Sequence, residues 1–131
     1  AGTQNLVGIA ALNAGVKYVS ENQVEIMEKE YFLLQKLYEG LTGYVEFYSS
    51  LENSTPIVAL NIPGKDSAYV SDLLNYKYGI VTRCGAHCAP LMHKHLKTGE
   101  QGIVRLSVSF QNTIEDMDCV IRAIQEISND H

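Results

Sequence analysis

The sequence predicts an α+β domain in which a small, mostly antiparallel sheet of three or four strands packs against helices on one face. Apolar residues recur at helical spacing towards both ends of the chain, and short β-branched stretches occupy its middle. The elements follow the order helix, helix, strand, strand, helix, strand, strand, helix. The 131 residues contain no repeat, linker or low-complexity segment, so we expect one domain over residues 1–131.

Two helices are predicted first, at residues 6–19 and 20–41. The first is rich in small and apolar residues and begins after Thr3 and Asn5, either of which could cap it. Because small residues permit close backbone approach, we expect the helix in residues 1–20 to pack against something that is absent from this chain. The second helix starts with a capping box and carries an apolar stripe too short for a coiled coil. The residues of the box are Ser20 and Gln23, and those of the stripe are Val24, Met27, Tyr31, Leu34, Tyr38 and Leu41.

Four strands are predicted beyond Gly43. They lie at residues 44–49, 56–62, 78–83 and 103–109. A helix capped by Asp66 or Ser67 and ended by Gly79 separates the second strand from the third. In the fourth strand, Val104, Leu106 and Val108 alternate with Arg105, Ser107 and Ser109, which therefore point to the opposite face.

A last helix follows the Asn-Thr pair at residues 112–113. Its apolar face consists of Met117, Val120, Ile121, Ile124 and Ile127.

Composition excludes several classes of protein. A net charge of −5 argues against nucleic acid or an anionic membrane as the main partner, since both favour basic surfaces. The sequence contains no apolar run of 18 residues and does not open with a secretory leader, so we expect neither a membrane span nor secretion. Three cysteines are too few, and odd in number, for an extracellular disulfide scaffold, which favours the cytoplasm. Because the first residue is not methionine, we also expect a piece of a longer protein.

The segment "RCGAHCAP", residues 83–90, concentrates the reactive side chains. One interpretation is a zinc site, whose ligands would be Cys84, His87 and Cys88 with His93 or His95. A short disulfide between Cys84 and Cys88 is a second. The zinc spacing lacks paired CxxC motifs, and a reducing compartment disfavours the disulfide.

The third interpretation is a nucleophilic thiol. Cys88 has His87 beside it and Arg83 nearby, on a loop that leaves a predicted strand. An unreactive loop thiol fits these residues equally well. Cys119, beside the apolar stripe of the last helix, is expected to be structural, and Cys84 stays ambiguous.

Two further features suggest a binding site. Arg105 lies in a strand that is expected to be part of the core. It is either an ordinary solvent-facing residue or a ligand that binds a substrate carboxylate through two parallel hydrogen bonds. Gly2 and Thr3 precede a helix whose first N–H groups could bind a phosphate, although most such sequences are only caps.

Taken together, these segments resemble the C-terminal part of the class V aminotransferase family. The similarity is greatest to its SufS-like cysteine desulfurases and selenocysteine lyases. That group has Arg-x-Gly-x-His-Cys-Ala, then a strand with Arg-x-Ser, then Asn-Thr opening a helix, and here these are "RCGAHCA", "VRLS" and "NT". The opening "AGTQN" is similar to the family's Ala-Gly-Thr-Pro-Asn.

The resemblance implies the small C-terminal domain of a pyridoxal-phosphate enzyme of the aspartate-aminotransferase fold (type I). The full-length enzyme would be a homodimer that removes sulfur from L-cysteine, releases L-alanine and passes the sulfur to an acceptor, as in iron–sulfur cluster assembly. It implies Cys88 as the catalytic persulfide carrier and Arg105 as the ligand of the substrate carboxylate. By the same resemblance, Arg83 and His87 line the substrate pocket, and Gly2 and Thr3 reach the cofactor phosphate.

The chain departs from the family in three respects. Gln4 replaces the usual proline, and Ala86 replaces a larger residue. No segment matches the motif of the cofactor lysine, so we expect this chain alone to hold no cofactor and to be inactive. The alternatives are another class V aminotransferase in which Cys88 is not catalytic, and a separate zinc-binding or interaction module.

Overall fold

The structure is a computed structural model that describes residues 2–52 and 55–130. Its first element is one long helix, α1, which runs from Leu6 to Leu41 over 36 residues. The prediction of two helices is therefore wrong. Ser20 lies inside α1 because no proline interrupts the chain there, and a lone glycine costs a helix only about 1 kcal/mol. The side chain of Asn5 caps α1 by accepting a hydrogen bond from the Gly8 N–H at 3.0 Å.

The sheet has three antiparallel strands in the order β1-β2-β3. They are β1 (Glu46–Phe47), β2 (Ile57–Asn61) and β3 (Val104–Ser107). Val58 pairs with Leu106 and Leu60 with Val104, and these four side chains are buried. The predicted alternation in β3 is confirmed, because Arg105 is half-buried and Ser107 exposed on the other face.

Three further helices complete the domain. They are α2 (Ser67–Tyr78), α3 (Pro90–Leu96) and α4 (Ile114–Asn129). The last part of α1 packs with α4, α2 and the apolar face of the sheet around one core. The α+β class is thus confirmed. Among the described residues, no helix combines the length and apolarity needed to span a membrane.

The apolar face of α4 is confirmed, with Met117, Val120, Ile124 and Ile127 buried. The stripe predicted over residues 24–41 is confirmed only in its last part, where Leu34 and Leu41 are buried and Tyr38 is half-buried. Val24, Met27 and Tyr31 are exposed, and the buried residues of this helix are Leu33, Leu34, Leu37 and Leu41. The beginning of α1 extends past the core, and residues 2–21 are exposed throughout.

The strand predicted at residues 78–83 does not form, apart from a single bridge at Arg83. Gly79 ends α2 in a left-handed conformation, and the Ile80 N–H donates to the Leu74 carbonyl at 2.9 Å. Thr82 then hydrogen-bonds Ser71 of α2 at 2.7 Å. These bonds hold the segment against α2, which leaves a cavity of about 320 Å³ between it and β3.

Helix α3 was not predicted from the sequence. Pro90 occupies its first turn, where a missing N–H costs nothing and the fixed φ favours a helix. That proline was the signal available in the sequence. Its consequence is that the chain leaves the cysteine loop as a short helix.

A capping box at the start of α4 makes stability depend on pH. Asp116 accepts from the Thr113 N–H at 2.9 Å and from the Asn112 side chain at 3.3 Å, and these bonds hold the pKa of Asp116 below its ordinary value. A depressed folded-state pKa gives stability that is fully present above the unfolded pKa, about 3.9, and is lost as the pH falls through the folded pKa.

We therefore expect Asp116→Ala to lower the free energy of unfolding at neutral pH and to lower it progressively less below about pH 4. The measurement is urea unfolding of both proteins across that range. Asp72→Ala, at an exposed acidic position of α2, is the control and should show no such trend. A difference that stays constant with pH would contradict the assignment.

Candidate active site

A single backbone pair joins the cysteine loop to the sheet. The Arg105 N–H donates to the Arg83 carbonyl at 2.7 Å, and the Arg83 N–H donates to the Arg105 carbonyl at 3.1 Å. Residues that exchange both bonds in an antiparallel pair lie directly opposite each other, with side chains on the same face. That face is the one opposite the buried Val104 and Leu106. Two arginines are therefore neighbours outside the core.

Neither arginine has a carboxylate partner among the ion pairs of residues 2–52 and 55–130. The Arg105 Nε is buried and lacks a hydrogen-bond partner. Like charges directly opposite each other are destabilising, and a buried donor left unsatisfied costs about 1–3 kcal/mol. An anion bound at Arg105 would satisfy this donor and offset the positive charge of the pair.

Tyr48 lies on the same face of the sheet as Arg105, across β2 from it. Its N–H donates to the carbonyl of Ala59, and Ala59 pairs in turn with Arg105. The Tyr48 hydroxyl donates to Glu46 at 2.9 Å. Burial, followed by this bond to a carboxylate, raises the pKa of Tyr48. Glu46 keeps its negative charge while it accepts this bond, so this face of the sheet carries two arginines and one carboxylate.

Cys88 lies on a tight turn with an unusual backbone. The Ala89 N–H donates to the Ala86 carbonyl at 2.9 Å, and both central residues have positive φ, 49° for His87 and 58° for Cys88. A residue with a Cβ in this region costs about 1–3 kcal/mol, and such strain persists where the surroundings enforce it. The turn presents Cys88 as an exposed, free thiol.

The side chain of His87 anchors the turn to the sheet. Its Nε2 lies 2.8 Å from the carbonyl of Ile103, which can only accept, so Nε2 carries the proton. The other ring nitrogen, Nδ1, is buried without a hydrogen-bond partner. Ile103 directly precedes β3, so this bond places Cys88 at the same end of the sheet as Arg105 and Arg83.

Two glycines allow the loop to lie against the start of β3. Gly102 has φ 69°, and a Cβ there would be 2.9 Å from the Cα of Gly85 and would overlap the Ser67 hydroxyl. Across this contact the Ile103 N–H donates to the Gly85 carbonyl at 3.2 Å. Asn61 supports the same place, since its Nδ2 donates to the Gly102 carbonyl at 2.7 Å. Buried polar bonds therefore hold the loop in register with β3.

The other predicted site residues lie elsewhere. Gly2 and Thr3 are exposed ahead of α1, at the end that extends past the core. Cys84 and Cys119 are half-buried and free. Within the described parts of the chain, no group of three or more His, Cys, Asp or Glu side chains is arranged to hold a metal ion, so the zinc alternative gains no support.

Sequence reasoning missed three residues that build the site. Tyr48 and Asn61 face the arginines or the loop only because of strand register, for which the sequence contains no local signal. His93 was considered only as a zinc ligand. It is buried and its ring stacks on that of His87, with centroids 6.2 Å apart.

Comparison with known proteins identifies the class. The model of the family "Aminotransferase class-V" matches residues 1–120. The chain therefore belongs to the class-V aminotransferase family.

Within that family, its relatives and structural neighbours include cysteine desulfurases. A probable cysteine desulfurase of Methanothermobacter thermautotrophicus is 30% identical over 98% of this chain, and a cysteine desulfurase of Klebsiella pneumoniae is 32% identical over 97%. The apo structure of cysteine desulfurase from Thermococcus onnurineus superposes with a TM-score of 0.85 at 30% identity, over 98% of this chain and 32% of that one. The fold is thus that of a domain of the type I pyridoxal-phosphate enzymes. The chain spans about a third of the length of the curated relatives it matches, 33% and 31% for the two named here.

We expect Gly102→Ala to destabilise the domain, because the new Cβ meets Gly85 and Ser67 and the residue must keep a left-handed φ. The left-handed conformation alone costs about 1–2 kcal/mol, so a loss of about 2 kcal/mol or more is expected in urea unfolding. Gly99→Ala is the matched control, since its Cβ would meet no atom within 4 Å. Equal stability of the two variants would show that the close contact is not required.

Proposed function

We propose that this chain is the small C-terminal domain of a pyridoxal-phosphate-dependent cysteine desulfurase, with Cys88 as the residue that accepts sulfur. The observation that carries the proposal is the exposed Cys88 thiol on a strained turn, at the end of the sheet where Arg83 and Arg105 pair without a carboxylate partner among the described residues. A thiol and an anion-binding pair are the two groups needed to act on an amino acid that carries both sulfur and a carboxylate.

In this proposal Cys88 acts as a nucleophile. Its thiolate forms an S–S bond with the sulfur of L-cysteine while the bond from that sulfur to the substrate Cβ breaks. L-Cysteine and the Cys88 thiol become L-alanine and a Cys88 persulfide, so atoms and electrons balance without an external oxidant. The exposed position suits this role, because the persulfide must afterwards be reached by a sulfur acceptor.

Arg105 binds the substrate carboxylate in this proposal, with Arg83 beside it. A guanidinium binds a carboxylate through two parallel N–H···O bonds, a geometry that lysine cannot reproduce. The unsatisfied Arg105 Nε supports the role, since it is a buried donor without an acceptor. His87, which is fixed on the Ile103 carbonyl and directly precedes Cys88, would line the same substrate pocket.

The cofactor would be bound mainly by parts of the enzyme other than this chain. The residues present fit a minor share of that task. Asn5 occupies the cap of α1, while Gly2 and Thr3 stay exposed, with a hydroxyl and backbone N–H groups that suit a phosphate. Pyridoxal phosphate, when bound, supplies an electron sink at the substrate amine. The sequence offers no match to the lysine motif of the cofactor, so the chain alone is proposed to be inactive.

The proposal also includes the partners of the complete enzyme. The exposed apolar side chains in residues 1–20, among them Leu6, Leu12 and Val16, would pack on the large domain. The complete enzyme would be a cytoplasmic homodimer that passes sulfur to an acceptor for iron–sulfur cluster assembly. The cysteine desulfurase relatives support the activity.

In the complete enzyme, we expect Cys88→Ala to reduce sulfide release from L-cysteine by about 10³-fold or more while the cofactor absorbance band is retained, since only the nucleophile is lost. Sulfide is measured colorimetrically under steady-state conditions. Cys119→Ala is the matched control and should keep near-normal turnover, because this thiol lies on α4 away from the turn. Sulfide release that survives Cys88→Ala would remove Cys88 from the mechanism.

We expect Arg105→Ala mainly to raise the KM for L-cysteine and to lower kcat/KM about 10- to 100-fold, because a hydrogen bond to a charged group contributes about 1.5–3 kcal/mol. Arg122→Ala, on the exposed surface of α4, controls for the loss of one positive charge. An unchanged KM for Arg105→Ala would reject the carboxylate role.

A further inference from the structure

Helix α3 exposes apolar side chains and buries a histidine, which is the reverse of the usual pattern. Its apolar Leu91 and Met92 are 82% and 56% exposed, whereas the imidazole of His93 is only 4% exposed. Apolar side chains normally fill the interior, and a polar ring takes their place only where specific contacts hold it. The structure therefore gives His93 an inward position that burial of apolar surface does not explain.

A hydrogen bond fixes the ring of His93. Its Nδ1 lies 2.9 Å from the hydroxyl of Thr98, which is itself 2% exposed. The Thr98 N–H donates to the His93 carbonyl at 3.0 Å. Lys97, between them in the chain, ends α3 in a left-handed conformation. Both the backbone and the ring of His93 are thus tied to Thr98.

The His93 ring also lies beside the ring of His87, which belongs to the turn of residues 86–89. The rings of His93 and His87 lie nearly parallel, at 24°, with centroids 6.2 Å apart. His87 is held on its other side by its bond to the Ile103 carbonyl. The His87 ring is therefore fixed between β3 and α3, directly before Cys88 and inside the turn with two positive φ angles.

We propose that His93 is a positioning residue for Cys88. Thr98 orients His93, the His93 ring supports the His87 ring, and this support keeps the turn of residues 86–89 in the left-handed conformation that presents the Cys88 thiol. His93 acts through packing on His87 and does not contact the substrate. The role in catalysis rests on the proposed function, whereas the support of the turn is a property of this chain alone.

Amide hydrogen exchange by NMR on the isolated chain tests the support directly. The Ala89 N–H closes the turn by bonding to the Ala86 carbonyl, so its exchange reports opening of the turn. We expect His93→Ala to speed exchange at Ala89 at least tenfold and His93→Phe to restore it to within about threefold, because phenylalanine keeps a ring against His87. His95→Ala, at an exposed histidine of the same helix, is the matched control and should leave exchange unchanged.

Exchange at the Val104 N–H of β3 separates local opening from loss of the whole fold. The proposal is overturned if His93→Ala behaves as His95→Ala does, or if Val104 exchange rises as much as Ala89 exchange.

Kinetics of the complete enzyme test the consequence for catalysis. We expect His93→Ala to lower kcat at least tenfold with the KM for L-cysteine within threefold, since Arg105 is untouched, and His93→Phe to recover most of the rate. A change in KM alone, or no rescue by phenylalanine, would overturn positioning of the thiol. An unaltered enzyme that releases no sulfide would overturn the proposed function instead, and the exchange result on the isolated chain would still decide whether His93 holds the turn.

Discussion

The backbone pair between Arg83 and Arg105 is the interaction on which the site depends. Because the segment before Arg83 is hydrogen-bonded to α2, the cysteine loop meets the sheet at this pair and at the bonds of Gly85 and His87 to Ile103. The pair brings two guanidinium groups to one face. It also sets where the chain turns back at Cys88. One short stretch of antiparallel pairing thereby places two arginines and a thiol at the same end of the sheet.

The features that destabilise the folded chain are concentrated at this end of the sheet, near Arg105 and Cys88. Two like charges lie opposite each other, Arg105 has a buried donor without an acceptor, and two residues with side chains adopt positive φ. Folded proteins retain such costs mainly where function requires them, because each one lowers stability. A carboxylate between the arginines would offset the first two. Next to the strained turn, His87 bonds the Ile103 carbonyl and lies beside the buried His93.

The hydrogen bonds that hold the cysteine loop against the start of β3 come from buried side chains. Asn61 and Ser67 hold the strip where Gly102 and Gly85 touch, and Asn61 accepts from the Val104 N–H at 3.3 Å as well. The beginning of α1 differs, since residues 2–21 are exposed and include apolar side chains such as Leu6 and Leu12. Within the described residues, these bonds thus gather around the cysteine loop, whereas the beginning of α1 lies outside the core.

The sequence by itself determined the α+β class, the core faces of β3 and α4, the starts of α2 and α4 to within a residue, and the segment that carries Cys88. These follow from local periodicity, capping chemistry and contiguous motifs, which are readable because they depend on neighbouring residues. Only the tertiary structure decided that α1 is continuous and that residues 79–82 are hydrogen-bonded to α2 and form no strand. It also decided that Tyr48, Asn61 and His93 lie at the candidate site. The physical reason is that these outcomes depend on which of several possible partners a backbone or side-chain group finds. That competition is settled by contacts between residues distant in the chain.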